Sequence, residues 1–224
     1  MGGPSIGVPR LRHQTMNASP AISITPVRVA DLLAEGERMP VYVHLIDHPD
    51  ARVLVDTGMT ELRPEVADMD PRLVPLGEQA LDLAGIDVVV NTHLHFDHCG
   101  GNRRFAGLPI YVQRAELAAV AEPDYLVEWV RFEGADYREL DGDTDLSDGT
   151  GLFDGISVFF TPGHSPGHQC VVVETEEGPV VLGGDVTYSM GELIAGGQPN
   201  FDRIHALEPR LVYLAHSHRP WVPG

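Results

Sequence analysis

Four potential metal ligands fall within six residues at His93-Leu94-His95-Phe96-Asp97-His98, directly after the apolar run Ile86-Asp87-Val88-Val89-Val90. The run reads as a buried strand, so the ligands must leave its end together. In an extended stretch His93 and His95 point to the same side, and both can reach one ion. The chain then turns, and Asp97 and His98, offset from that side, suit a second ion nearby. Imidazole nitrogen and carboxylate oxygen suit Zn²⁺ and its neighbours.

The pattern recurs along the chain, which has 11 histidines. His164 follows the strand-like Ser157-Val158-Phe159-Phe160, with His168 four residues on. Asp185 follows Val180-Val181-Leu182 through two glycines, and His216 follows Leu211-Val212-Tyr213-Leu214, with His218 two residues on. Asp56-Thr57-Gly58 likewise ends the run Arg52-Val53-Leu54-Val55. Polar motifs thus sit where apolar strands end and could face one edge of a layered sheet structure. His93, His95, Asp97, His98, His164, Asp185 and His216 are seven candidate ligands, enough for two ions with three ligands each and a carboxylate between them. His13, His44, His48 and His205 have no partner pattern and read as surface or structural.

Alternation predicts further strands at 22–29 and 41–46, with a turn at Asp47-His48-Pro49-Asp50, and at 109–112. Cys170-Val171-Val172-Val173 and Val180-Val181-Leu182 form a hairpin-like pair around Glu176-Glu177-Gly178. Helical spacing appears over 76–85, 114–121 and 202–207. Residues 122–150 are the least regular; their Tyr125, Trp129 and Phe132 either line a ligand pocket or form ordinary core. Strands followed by helices, twice over, fit two sheets packed face to face with helices outside. Residues 1–20, rich in Gly, Pro and Ser, read as a loose arm before one domain over 21–224.

Composition narrows the partners. With 15 Lys+Arg against 33 Asp+Glu, the net charge is −18. Such a chain repels phosphate backbones and anionic membrane surfaces, so neither nucleic acid nor a membrane is expected as a partner. Nothing apolar approaches the ~18 residues that span a bilayer. The first twenty residues lack a continuous apolar core of the secretory kind. Cys99 and Cys170 make no disulfide framework and read as reduced thiols, which points to the cytoplasm. The expected partner is a small molecule. Nothing fixes an oligomeric state, and a homodimer stays open.

His93-Leu94-His95-Phe96-Asp97-His98, with Thr161-Pro162-Gly163-His164-Ser165-Pro166-Gly167-His168, Leu182-Gly183-Gly184-Asp185 and the late Leu214-Ala215-His216, resembles the metallo-β-lactamase superfamily of hydrolases over about residues 20–218. The resemblance implies a four-layer αββα sandwich of the α+β kind, two mixed β-sheets with helices outside and the metals at one edge. It implies that His93, His95 and His164 hold a first ion. Asp97, His98 and His216 would hold a second, with Asp185 bridging; zinc is the default, and iron, manganese or cobalt suit the same ligands. Ser217 stands where the family usually carries an acid, which keeps His218 open as an alternative to His216. His168 reads as an outer hydrogen-bonding or turn residue, and Cys99 as a buried thiol.

Within the superfamily the chain is most similar to the N-acyl-homoserine lactonases, in the stretch Val43 to Met59, in the context Asn91 to Asn102, and in Tyr188, three residues after Asp185. In those lactonases a tyrosine at this offset reaches the substrate carbonyl or its leaving oxygen. The implied reaction is lactone opening by a metal-bridging hydroxide, with Tyr188 and Asp97 as catalytic residues and Asp97 as general acid. Two alternatives remain. One is another reaction on the same scaffold, such as thioester hydrolysis of the glyoxalase II type, for which Arg103, Arg104 and Arg131 are the obvious cations. The other is a non-enzymatic metal-binding protein.

Overall fold

Alternation within the strands decides the layering. In the computed structural model, which describes residues 22–34, 36–74, 84–123, 125–147 and 154–224, twelve strands form two sheets. The first comprises β1 (Ser23–Ala34), β2 (Glu37–His48), β3 (Ala51–Val55), β4 (Arg72–Leu73), β5 (Val88–Val90), β6 (Pro109–Gln113) and β7 (Asp136–Leu140), in the order β4-β1-β2-β3-β5-β6-β7. The second comprises β8 (Thr144–Asp145), β9 (Ile156–Phe160), β10 (Gln169–Thr175), β11 (Gly178–Leu182) and β12 (Leu211–Tyr213), in the order β12-β11-β10-β9-β8. Val53, Val55, Val88 and Val90 face the second sheet and meet Val158, Val171, Val173 and Leu182 there. The intervening Leu54 and Val89 face outward into a second core with Val41, Val43, Ile110 and Trp129. On the other flank Cys170, Val172 and Val181 pack against Leu193, Phe201 and Ile204. Three apolar layers therefore separate four structural ones, the αββα sandwich. β5 is apolar at every position because both its faces are covered.

The helices are short: α1 (Phe96–Cys99), α2 (Arg114–Ala119), α3 (Val127–Val130), α4 (Met190–Ala195) and α5 (Pro199–Ala206). Among the described residues, no helix is long and apolar enough to cross a membrane. α5 starts earlier than its apolar spacing predicts because Pro199 opens it, a first-turn position where the missing N–H costs nothing. α4 is unanticipated, although the hydroxyl of Ser189 accepts the Glu192 N–H, a serine cap with a glutamate three residues on.

β1 and β2 are each 12 residues, longer than their apolar alternation suggests, and run as one hairpin whose register shifts between Arg28 and Ala30. β7 lies inside the segment read as irregular. Its sequence, Asp136-Tyr137-Arg138-Glu139-Leu140, is polar because it is the sheet edge and only Leu140 is buried. Most of the helix expected over 76–85 and the arm over 1–20 lie outside the described residues; Gly85 itself has φ 76°, as a helix-ending glycine would.

Strand direction places the site. β3, β5 and β6 run parallel, so Asp56 and His93 leave the same edge of the first sheet. β9 and β11 are both antiparallel to β10, and β12 is parallel to β11, so His164, Asp185 and His216 also leave one edge together. Tyr42 N–H donates to Ala215 O and Gln169 N–H to Thr92 O, both at 2.9 Å, which stitches the two edges together.

Candidate metal centre

The loop after β5 behaves as its spacing predicts. Leu94 turns into the outer core, fully buried, while His93 and His95 face the opposite way. α1 begins after His95 and turns the chain within four residues, which swings Asp97 and His98 to a neighbouring position. The loop after β9 brings in His164. Gly184, with φ 52°, brings Asp185 in from β11; a Cβ there would lie 2.8 Å from Thr92, so only glycine allows this approach.

Two ligand groups result. His93 Nε2, His95 Nδ1 and His164 Nε2 form a triangle with sides of 3.0, 3.0 and 3.1 Å. Three ring nitrogens around one tetrahedral zinc, each at 2.0–2.1 Å, would stand about 3.3 Å apart. In the second group, His216 Nε2 lies 3.4 Å from Asp97 Oδ2, and His98 Nε2 lies 3.6 Å from the same oxygen. Asp185 stands between: Oδ2 is 3.1 Å from His216 Nε2 and 3.6 Å from His164 Nε2, while Oδ1 is 3.2 Å from His98 Nε2. His98 Nε2 and Asp185 Oδ1 are buried, and apart from this contact with each other, which lacks hydrogen-bond geometry, neither has a hydrogen-bond partner. Orphaned polar atoms are costly in a native core, and here they converge with lone pairs, so the donor set fits divalent cations.

Charge is divided unevenly across the centre. Burial holds His93, His95 and His164 below the ordinary imidazole value, so their lone pairs are available. Burial opposes protonation of His216 as well, but Asp185 and Asp97 outweigh it and push it up to about 10 in the absence of a cation. Burial would raise Asp185 and Asp97, yet His216 and His98 beside them hold both below the usual carboxylate range. One group is thus neutral nitrogen and the other is rich in carboxylate.

Outer contacts orient the rings. Asp56 accepts from Thr92 N–H at 2.7 Å and from Thr92 Oγ1 and His98 Nδ1, both at 2.8 Å. His216 Nδ1 donates to Pro40 O at 2.8 Å. Because Pro40 O can only accept and Asp56 is an acceptor, both histidines present Nε2 to the centre. His168 is an outer residue, as expected: its Nε2 accepts Asp185 N–H at 3.1 Å, and its Nδ1 faces Thr161.

All seven expected ligand residues come together, and His216, not the exposed His218, belongs to the cluster. Tyr188 stands over it, with its hydroxyl 3.4 Å from His164 Nδ1 and its ring 5.5 Å from that of His164 and 5.6 Å from that of His216. Cys99 is a buried thiol, donating to Leu94 O. Tyr125, Trp129 and Phe132 pack in the outer core. Of the other histidines, His44 is buried against Tyr213, His48 and His205 contact backbone carbonyls, and His13 lies outside the described residues. Glu116, fully buried beneath the centre, is absent from the sequence reading. Its one signal is an acid on the stripe that Ala119 and Val120 continue into the core.

Residues 36–216 match the family model of the Metallo-beta-lactamase superfamily. The chain belongs to that superfamily. An N-acyl homoserine lactonase of a Bacillus species is 32% identical over 198 residues, covering 80% of this chain and 72% of its own. The lactonase AttM of Azorhizobium caulinodans is 28% identical over 191 residues, 73% of this chain and 71% of its own. A crystal structure of B. thuringiensis AiiA, a mutant with N-decanoyl-L-homoserine bound at the active site, superposes with a TM-score of 0.69 at 25% identity, covering 88% of this chain and 92% of the other. An N-acyl homoserine lactone hydrolase with its product N-hexanoyl-L-homoserine at the catalytic metal center gives 0.68, at 25% identity and the same coverage. As in the superfamily generally, the His/Asp cluster is a divalent-metal site of a hydrolase. It opens into a cavity of about 1070 Å³. Leu32, Met39, Val66, Met69, Phe96 and Leu126 supply its apolar wall, and Glu37, Glu65 and Asp68 its charge.

Proposed function

We propose that this metallo-β-lactamase-fold hydrolase opens the ring of N-acyl-homoserine lactones or closely related lactones, using two divalent ions. The observation that carries the reading is Tyr188, whose hydroxyl lies over the ligand cluster at the floor of a cavity with an apolar wall. The lactonase relatives support the same substrate class. His93, His95 and His164 would hold one ion, and Asp97, His98 and His216 the other, with Asp185 shared. Bound ions supply Lewis acidity and a water acidified to near neutral pH. Zinc suits the donor set, and iron, manganese or cobalt are the alternatives for metal analysis.

The chain's own groups then divide the work. Tyr188 O–H donates to the lactone carbonyl oxygen as negative charge grows there. Asp97, ionised because His98 and His216 outweigh its burial, accepts the proton of the attacking water. It returns that proton to the ring oxygen as the acyl C–O bond breaks, so one water adds across that bond. The product is a hydroxy acid that ionises to a carboxylate. Glu37, Glu65 and Asp68 in the cavity wall repel that anion and favour an uncharged substrate.

The same wall argues against a glutathione thioester, which carries carboxylates. Among the described lining residues there is no Lys or Arg; Arg103 and Arg104 line a separate small pocket beside Trp129. The test is a pH-stat panel of N-acyl-homoserine lactones and a glutathione thioester, with the zinc-loaded protein and its Tyr188→Phe variant. Lactone opening is expected, with kcat/KM about 10²-fold lower in the variant. Intact lactones in the presence of confirmed bound metal would refute the substrate assignment.

A further inference from the structure

Glu116 is a fully buried carboxylate on α2, and its hydrogen bonds reach three separated segments. Oε1 accepts Leu94 N–H at 2.9 Å and the Tyr125 hydroxyl at 2.9 Å. Oε2 accepts the Ser165 hydroxyl at 2.7 Å and Gly167 N–H at 2.8 Å. An ionised carboxylate has about four acceptor positions, so this one is saturated. Leu94 is the residue between His93 and His95, Ser165 follows His164, and Gly167 closes the His164 loop. A Cβ on Gly167 would lie 2.2 Å from Glu116 N, so the loop rests directly on α2.

No cationic side chain pairs with Glu116 among the described hydrogen bonds and ion pairs. A buried charge must be offset by hydrogen bonds or by a metal. Tyr125 is held protonated, since burial and Glu116 both raise it, so it can only donate to this carboxylate. Its ring also packs 5.2 Å from that of His95.

We propose that Glu116 is the positioning residue for the ion held by His93, His95 and His164, clamping all three histidines through backbone and hydroxyl donors beside them. A fixed negative charge behind three neutral imidazoles also favours a cation there. The inference rests on the cluster binding divalent metal and not on the identity of the substrate.

Glu116→Gln is the diagnostic change because it keeps the shape. The new NH₂ can face either donor pair, and in both orientations it confronts one backbone N–H, of Leu94 or Gly167, with another donor. A hydroxyl can turn around; a backbone N–H cannot. The experiment is stepwise zinc affinity by chelator competition, with visible spectra of the cobalt-substituted protein. Wild type, Glu116→Gln and Tyr125→Phe are compared, the last removing one hydroxyl donor to Glu116 while keeping the ring that packs on His95. Glu116→Gln is expected to weaken one of two ions by about 10- to 100-fold and to alter the cobalt bands of that site alone. Tyr125→Phe is expected to stay within about two-fold of wild type.

Unchanged zinc affinity in Glu116→Gln, even with lower metal-free stability, would reduce Glu116 to a structural buttress and overturn the proposal. So would equal weakening of both ions, or equal loss in Tyr125→Phe. If Glu116→Gln fails to fold, Ser165→Ala decides: a loss of several-fold at one ion supports the clamp, and no change refutes it. Lactone hydrolysis is not the readout, so a wrong substrate assignment would leave this result standing.

Discussion

Asp56→Asn tests whether an outer carboxylate selects the ring form that binds metal. Asp56 has φ 61°, a left-handed conformation that asparagine adopts about as readily as aspartate, so the change adds little backbone strain. In the wild type, Oδ1 takes Thr92 N–H at 2.7 Å and Oδ2 takes His98 Nδ1–H at 2.8 Å. In the variant the amide oxygen must stay with Thr92 N–H, which leaves the NH₂ against His98. His98 then either meets donor with donor or moves its proton to Nε2, the nitrogen that lies 3.2 Å from Asp185 Oδ1 and should hold the ion. Leaving a buried donor unsatisfied costs about 1–3 kcal/mol. At ~1.4 kcal/mol per decade that is about 5- to 140-fold in affinity, which spans the range of about 10- to 100-fold typical of partners behind metal ligands. Chelator competition should show this loss for the ion of Asp97, His98 and His216, with the other ion within about three-fold. This is the complement of the pattern expected for Glu116→Gln. Wild-type affinity for both ions in Asp56→Asn would refute the reasoning.

Two further outcomes concern stability. Removing the ions with a strong chelator should lower Tm by about 5–10 °C per ion, from about 2.7 kcal/mol of linkage for each site at a metal concentration 100 times its Kd; an unchanged Tm would mean that the converging lone pairs do not hold cations. Burial lowers His44 from 6.5 to about 3, and its Nε2 has no hydrogen-bond partner. The folded protein therefore binds fewer protons than the unfolded chain between those values. The stability linked to the neutral ring is complete above pH 6.5 and is lost as pH falls toward 3, about 2 kcal/mol of it by pH 5. His44→Leu, compared with wild type by urea unfolding in chelator at pH 7.5 and 5, should recover that difference, and parallel pH profiles would rule it out.

The candidate ligands were legible for a local reason. Each of His93, His164, Asp185 and His216 follows an apolar strand within a few residues, and alternation is printed in the chain itself. The layered architecture was legible for the same reason, since strands such as Val88–Val90 and Cys170–Val173 carry apolar residues on both faces. β7 was not, because an edge strand needs only one buried face and its polar residues hide the period. α4 had a readable cap but no apolar stripe, with only Leu193 buried.

Choices among equals belonged to the tertiary structure. His216 and His218 are both histidines after one strand, and the Pro40 carbonyl on a distant strand, with Asp185 from another, holds one of them in the cluster. Tyr125, Trp129 and Phe132 could have lined the cavity, yet α3 turns them into the outer core and leaves Leu126 and Phe96 on the wall. Glu116 is one acid among 33 acidic residues; its significance exists only where donors from Leu94, Tyr125, Ser165 and Gly167 close around it. Periodicity and ligand type are properties of neighbouring residues, so they survive in a linear reading. Which lone pair faces which donor depends on segments tens of residues apart, and long-range packing alone sets that.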